Sequence, residues 1–288
     1  MDKNWTIAVT GAAGHVGSRL VETLRERGGD VRALTRDDGD VGDRGAMLAA
    51  LEGVDAAYYL GHSLTAAGEF EEDERRDARE FAAAARERGV QRLVYLGGIV
   101  HSDALSPHLR RRREVGEILR ASGVPTVELR ASIVVGSGSA SFELVKTLVE
   151  RLPAMIAPDW VDHASQPIAL DDVVAYLVAA LDVPLNADAV YEIGGADRVR
   201  YRDLVNEVAE QLGRPRLAAA IPVPALPLGV SQLPGRVAEL IPDRLRLAAN
   251  LLESLRYDTD VRDDRAVRDF AVRPRGLRAA VAAALATS

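Results

Sequence analysis

The chain has 288 residues, 48% of them hydrophobic, with 36 basic and 43 acidic side chains and a formal net charge of −7. That length and apolar content suit a large core in one or two domains, and the charged fraction of 27% is that of an ordinary globular protein. The acidic balance argues against a nonspecific binder of nucleic acid or anionic membrane. With no cysteine, disulfides, thiolate nucleophiles and cysteine-ligated metals are excluded.

The five histidines (His15, His62, His101, His108, His163) show no metal-binding spacing, so no metal site is expected. The opening MDKNWTIAV has no basic-then-apolar leader, and no apolar run reaches the roughly 20 residues that span a bilayer. A cytoplasmic protein without a membrane span is the expectation. A homodimer remains open.

In chain order, strands are expected at Thr6–Val9, Val31–Thr35, Ala56–Leu60, Leu93–Gly97 and Thr126–Leu129. Between them lie helical patterns at His15–Arg27, Arg44–Leu51, Phe70–Arg88 and Leu109–Ala121. Val16, Leu20, Val21 and Leu24 share one face of the first, as in a helix packed on a sheet. Strand–helix–strand units of about 25 residues are the rhythm of a right-handed parallel sheet. The fold class is therefore α/β, a doubly wound parallel sheet of Rossmann type, with residues 1–135 as the dinucleotide-binding core. Residues 136–288 are read as completing the sheet (about 166–195) and adding a smaller, mostly helical substrate lobe, the whole forming one compact unit. In that half, Asp171 is the expected N-cap of a helix to Leu181, Val190–Ile193 a strand, and Tyr201–Leu212 a helix. The proline-rich stretch 221–234 reads as a loop or lid, and the tail from Asp243 to Ala286 as mostly helical.

The chemistry concentrates in TGAAGHVG, Thr10–Gly17. Gly11, Gly14 and Gly17 stand directly after a strand and before a helix. There, glycine permits the tight turn, the approach of a pyrophosphate and close helix–sheet packing. The loop's free N–H groups, with Ala13, His15 and Val16 between the glycines, would hold the anion at the helix N-terminus. About 20 residues further, dinucleotide sites place the group that reads the ribose. Here the strand ends in Leu34-Thr35-Arg36, followed by Asp37. Arg36 suits a 2′-phosphate, so NADP(H) is expected over NAD(H), which Asp37 could still serve.

These pieces, with GDVGDRGAMLAALEGVDAAYYLGHS, ERGVQRLVYLGGI, SGVPTVELRASIVVGSGSASFELV, QPIALDDVVAYLVAAL and YEIGGADRVRYRDLVNEVAEQLG, resemble the atypical short-chain dehydrogenase/reductase superfamily. The chain looks most like its NmrA-like and NAD(P)H-binding members, often described as nucleoside-diphosphate-sugar epimerase-like. The resemblance implies that Asp40 and Val41 lie beside the adenine, Leu60, Gly61 and His62 beside the ribose and pyrophosphate, and Gly97 near the nicotinamide. It also exposes a departure. The superfamily carries a serine after the fourth strand and a Tyr-x-x-x-Lys pair on the next helix, but here the strand runs into Gly97-Gly98. Counting back from the helix end, the tyrosine position falls on Leu109 and the lysine position on Arg113. Arg113 could keep a ribose or phosphate contact, whereas leucine cannot transfer a proton. His101 and His108, in the same region, are the replacement acids on offer. Tyr58, Tyr59 and Tyr95 read as core, Trp160, His163 and Gln166 as candidates for the substrate side, and Arg110–Arg113 as a solvated helix face.

Two functions follow from this reading. One is an NADP(H)-dependent oxidoreductase of a small organic carbonyl or enone that lacks the Tyr-x-x-x-Lys pair. The other is a non-catalytic NADP(H) sensor or assembly factor.

Overall fold

Strand cores such as Ile7–Val9 and Leu93–Leu96 are apolar on both faces, which requires cover on both sides of a sheet. The computed structural model describes residues 5–35, 39–60, 70–101, 107–151, 156–157, 159–184, 187–214, 219–220 and 256–287. The first half alternates β1 (Thr6–Thr10), α1 (His15–Glu26), β2 (Asp30–Leu34), α2 (Arg44–Ala50), β3 (Ala56–Tyr59), α3 (Phe70–Glu87), β4 (Arg92–Gly98), α4 (Pro107–Arg120) and β5 (Thr126–Ala131). The second half begins with β6 (Val134–Val135), α5 (Ala140–Arg151), β7 (Ile156–Ala157), β8 (Ala164–Ser165), β9 (Ile168–Ala169) and α6 (Leu170–Ala179). It continues through β10 (Ala189–Ile193), β11 (Val199–Arg200), α7 (Tyr201–Gln211), β12 (Ala219–Ala220), α8 (Arg265–Asp269) and α9 (Leu277–Ala286).

The central sheet has six strands in the order β10-β5-β4-β3-β1-β2. Every neighbouring pair is parallel. The winding reverses between β1 and β3, and such a reversal opens a crevice beyond the carboxyl ends of the strands. The expected Rossmann class is thus the observed one, and β10 from the second half closes the sheet.

Three apolar clusters hold the layers. Leu20 and Leu24 of α1 join Val173 and Leu177 of α6 on one face of the sheet. Met47, Phe81, Ala85 and Leu119 from α2, α3 and α4 cover the other. The third lies outside the sheet, where Phe142 and Val145 of α5 meet Val205 and Val208 of α7 and Val281 of α9. Tyr58, Tyr59 and Tyr95 are buried among these layers, as their places inside strands require.

Two expectations need correction. Asp171 does not cap α6: Ala169 holds the N-cap position with no side-chain cap bond. Asp171 instead meets Arg275 at 3.1 Å, and Asp172 accepts from the Arg275 backbone N–H at 2.7 Å, so both carboxylates tie the tail to the first turn. The described part of the tail is also less helical than its composition suggests. Thr259 bridges to Ser165 beside β8, Ala271 adopts a positive φ of 50°, and helix resumes only at Leu277. The stretch 221–234 lies outside the described residues. Among those described, no helix is long and apolar enough to cross a membrane.

One buried cation fastens the sheet to α6. Arg92 lies 5.7 Å from the ring centroid of Trp5 and donates to the carbonyls of Ala180 at 2.7 Å and Leu181 at 2.6 Å. These are the orphan acceptors just past the helix end, where a cation is favoured. Arg92→Met removes both donors from a buried place, and we expect a loss of about 2–4 kcal/mol in urea unfolding. A change under about 0.5 kcal/mol, within the range of surface substitutions, would show that water serves these carbonyls equally well.

Candidate active site

At the end of β1 the chain turns within a few residues into α1. Gly11 takes the left-handed conformation, φ 64°, that this turn demands. At Gly17 a side chain would run into the carbonyl of Gly11, so only glycine lets α1 begin this close to the strand. Gly14 is the N-cap of α1 with no side-chain cap bond, and no acidic residue occupies the first turn. The helix therefore offers uncapped N–H donors and a positive dipole end to an anion. Thr10 holds the turn from beneath, donating to the Tyr58 carbonyl and accepting from the Leu60 N–H, both at 3.1 Å.

The glycine turn borders a cleft of about 300 Å³ at the carboxyl ends of β1, β4 and β5. Of the residues expected at a cofactor, Gly11, Gly14, His15, Val16, Gly17 and Leu60 line it. The others stand elsewhere. Thr10 is fully buried between strands, Ala13 is exposed on the turn, and Asp40 folds back to accept from the Gly42 N–H at 3.1 Å. Val41 packs against the α2–α3 core. Arg36, Gly61 and His62 lie outside the described residues. A larger open depression of about 670 Å³ lies over α3 and α4 around Arg79 and Ile118, away from the glycine turn.

At the far wall the cleft is lined by the chain neighbours of two of the residues named from sequence. Gly97 faces Tyr95 and the buried Glu128, whereas Gly98 faces the cleft, because successive strand residues point to opposite sides. On α4, Arg113 lies 3.6 Å from Glu117 one turn on, and the arginine that lines the cleft is Arg112. The run Arg110–Arg113 is not a single solvated face. Four consecutive helical residues fan out at about 100° each, so Arg111 is buried toward Glu74 while Arg112 enters the cleft. Leu109 is buried against the cleft wall. Tyr95 fixes this stretch by donating from its hydroxyl to the Arg112 carbonyl at 2.9 Å.

His101 is committed to structure. Its Nε2 stands 2.8 Å from the Asp260 carbonyl and its Nδ1 3.6 Å from Glu192, which joins the end of β4 to the tail. His108 belongs to the first turn of α4, four residues before Arg112. Trp160 has no described side chain. His163 pairs with Asp258 at 3.1 Å, and Gln166 clamps Gly195 and Val261 rather than facing the cleft.

Sequence reasoning missed a hydroxyl cluster on the second wall. Tyr201 and Ser132 each bond Thr259, at 2.9 and 3.1 Å, and Ser165 joins behind them. Burial pushes the Tyr201 phenol up to about 12, against hydrogen bonds from Thr259 and Ser165 that lower it, so it stays protonated at neutral pH. No local pattern marks these residues, which come from four separate segments. The glycine-rich GSGS at 136–139 was the available signal for the rest of that wall: Ser139 and Ala140 line the cleft beside His15.

With this geometry in place, comparison with known proteins adds the ancestry. The profile of the NmrA-like family matches residues 3–227, well over half of the chain. The chain belongs to the NmrA-like family. A relative from Streptomyces griseus, (4-alkanoyl-5-oxo-2,5-dihydrofuran-3-yl)methyl phosphate reductase, is 31% identical over 232 residues, covering 73% of this chain and 74% of its own. The 2-alkyl-3-oxoalkanoate reductase of Stenotrophomonas maltophilia is 26% identical, over 75% of this chain and 78% of its own. Among solved structures, MoeE5 in complex with UDP-glucuronic acid and NAD superposes with a TM-score of 0.71 at 22% identity, covering 97% of each chain. The Bordetella bronchiseptica enzyme WbmG, in complex with NAD and UDP, gives 0.73 at 16% identity, over 99% of this chain and 94% of its own. These last two likenesses are of fold.

His15 gives this NmrA-like site a titratable probe. Its Nε2 is buried without a hydrogen-bond partner among the described residues, and burial holds the imidazole below its usual 6.5 against the opposing charge of Glu143. We expect its NMR titration midpoint below 6.5 in the free protein and a rise on adding inorganic pyrophosphate, whose charge favours the imidazolium. A midpoint at or above 6.5 without ligand would contradict the burial account.

Proposed function

We propose that the chain is an NADP(H)-dependent reductase of a small carbonyl or enone compound. The carrying observation is one cleft that joins an uncapped, glycine-lined helix N-terminus to the ends of β4 and β5. A side chain at Gly14 would come to 3.0 Å from the Gly11 carbonyl, filling the cradle a pyrophosphate needs, so the residues present fit a dinucleotide. β4 stands two strands from β1, about 10 Å, and an extended cofactor bridges such a span from phosphates to nicotinamide. When bound, the reduced nicotinamide supplies a hydride to a substrate carbon. The names of the two relatives given above describe reductases of oxo compounds, which supports the same chemistry here.

The residues divide the work. Gly11, Gly14 and Gly17 admit the pyrophosphate, Val16 and Leu60 supply apolar walls, and Arg36, two residues beyond β2, reads the 2′-phosphate. Leu109 cannot move a proton, and both ring nitrogens of His101 face structural partners. We therefore assign the proton to His108, on the turn of α4 that precedes Arg112. The missing tyrosine also favours a second reading, a non-catalytic NADP(H) sensor.

Calorimetry with the full chain should show NADP(H) binding more tightly than NAD(H), with the difference lost in Arg36→Ala. Equal affinities in the wild type would remove the assignment of Arg36. In turnover, His108→Ala should cost on the order of 10²–10⁴ in kcat at unchanged NADPH affinity, while His101→Ala should chiefly lower thermal stability. No NADPH oxidation with any ketone, quinone or enone of a broad panel, despite tight cofactor binding, would favour the sensor.

A further inference from the structure

The wall formed by β4 and α4 departs from the superfamily pattern at two places that meet in space. The strand carries glycine where a serine is expected, and the neighbouring helix carries Arg112 in the cleft. A Cβ built on Gly98 would lie 3.2 Å from Arg112 Nη1 and 3.4 Å from its Cζ. The guanidinium thus fills the space into which a side chain at position 98 would project. Its Nη2 donates to the Leu96 carbonyl at 3.2 Å, its Nε is buried without a hydrogen-bond partner, and no carboxylate pairs with it among the described residues. Tyr95 fixes the helix at this residue through the Arg112 carbonyl. A half-buried cation held by the Leu96 carbonyl and the Tyr95 phenol, and left without an anion among the described residues, is prepared for a negative charge that arrives.

That charge does not come from the pyrophosphate, which belongs two strands away at the glycine turn. We infer that Arg112 is a catalytic residue whose guanidinium binds the substrate's carbonyl oxygen and stabilises the oxyanion formed during reduction. This rests on the reductase reading above. In the reduction of a ketone, the carbonyl carbon gains the hydride and forms a C–H bond, and the C=O π pair moves to oxygen. The oxygen then takes a proton from His108, which solvent reprotonates, and the product is the alcohol. The guanidinium keeps its charge throughout, so it contributes charge stabilisation and no proton. Gly98 and Arg112 are then a coupled replacement: a serine at 98 would displace the guanidinium that has taken over its role.

The test uses 4-nitrophenol, a phenol whose ionised form is read by absorbance, titrated with the full chain in saturating NADP⁺. In the wild type the bound probe should ionise at a pH about one unit lower than free, a tenfold preference for the phenolate. Arg112→Met should lose that shift while keeping NADP⁺ affinity. Gly98→Ser, which crowds the guanidinium without removing it, should reduce the shift and provides a second variant should Arg112→Met fail to fold. With cyclohex-2-enone or another reducible carbonyl, Arg112→Met should lower kcat by about 10²-fold with unchanged affinity for NADPH. Absence of a wild-type shift, or a shift that survives in Arg112→Met, overturns the inference. So does a variant that loses cofactor affinity in step with turnover, since Arg112 would then serve the cofactor. A wild type that shifts the probe but oxidises no NADPH keeps the oxyanion site and removes the reductase reading.

Discussion

Helix α1 begins so close to the end of β1 that the backbone at Gly17 rests against the carbonyl of Gly11, with no room for a side chain between them. This contact sets the direction of α1, and with it the orientation of the uncapped N–H groups at Gly14. Beside it, where the winding reverses between β1 and β3, a crevice opens beyond the carboxyl ends of the strands. A helix displaced by even the width of a methyl group would lift Leu20 and Leu24 from the sheet core they share with α6. Packing on one side of the sheet and anion recognition at its edge therefore depend on the same backbone approach.

The opposite wall is held by polar contacts between distant segments. The tail runs beside β8, where the Thr259 N–H donates to the Ala164 carbonyl at 2.8 Å and its hydroxyl meets Ser132, Ser165 and Tyr201. Glu192 accepts from the backbone N–H groups of Arg262 and Asp263, and Gln166 accepts from that of Val261. Buried polar groups that satisfy one another in this way fix a unique arrangement, because any other leaves donors or acceptors stranded. The result is a firm second face for the cleft, built by a segment more than 90 residues away along the chain from its β8 partner.

Behind the cleft, Glu128 shows how a charge can be stored inside the fold. It is nearly inaccessible in β5, yet it is paired with both Arg120 and Arg130. Gly116 on α4 makes room for its carboxylate, where any side chain would press on it. The ion cluster sits behind the cleft and helps to set α4 against β4 and β5. That setting decides which arginine of the run reaches the cleft.

The sequence alone determined the alternation of strands and helices, the parallel winding and the glycine turn, because these are written in local terms: period of apolar residues, capping positions, and backbone conformations open to glycine. It also put leucine at position 109, where the family resemblance implies a tyrosine. What it could not determine was phase at the far wall. A one-residue difference along α4 rotates a side chain by about 100°, and along β4 it reverses the face; hence only the fold shows that Arg112 and Gly98, beside the Arg113 and Gly97 named from sequence, line the cleft. Nor could it place Tyr201 beside Thr259 and Ser132, or commit His101 to Asp260 and Glu192. Those pairings join residues far apart in the chain, and only the packing of the C-terminal segment against the sheet brings them within hydrogen-bonding distance.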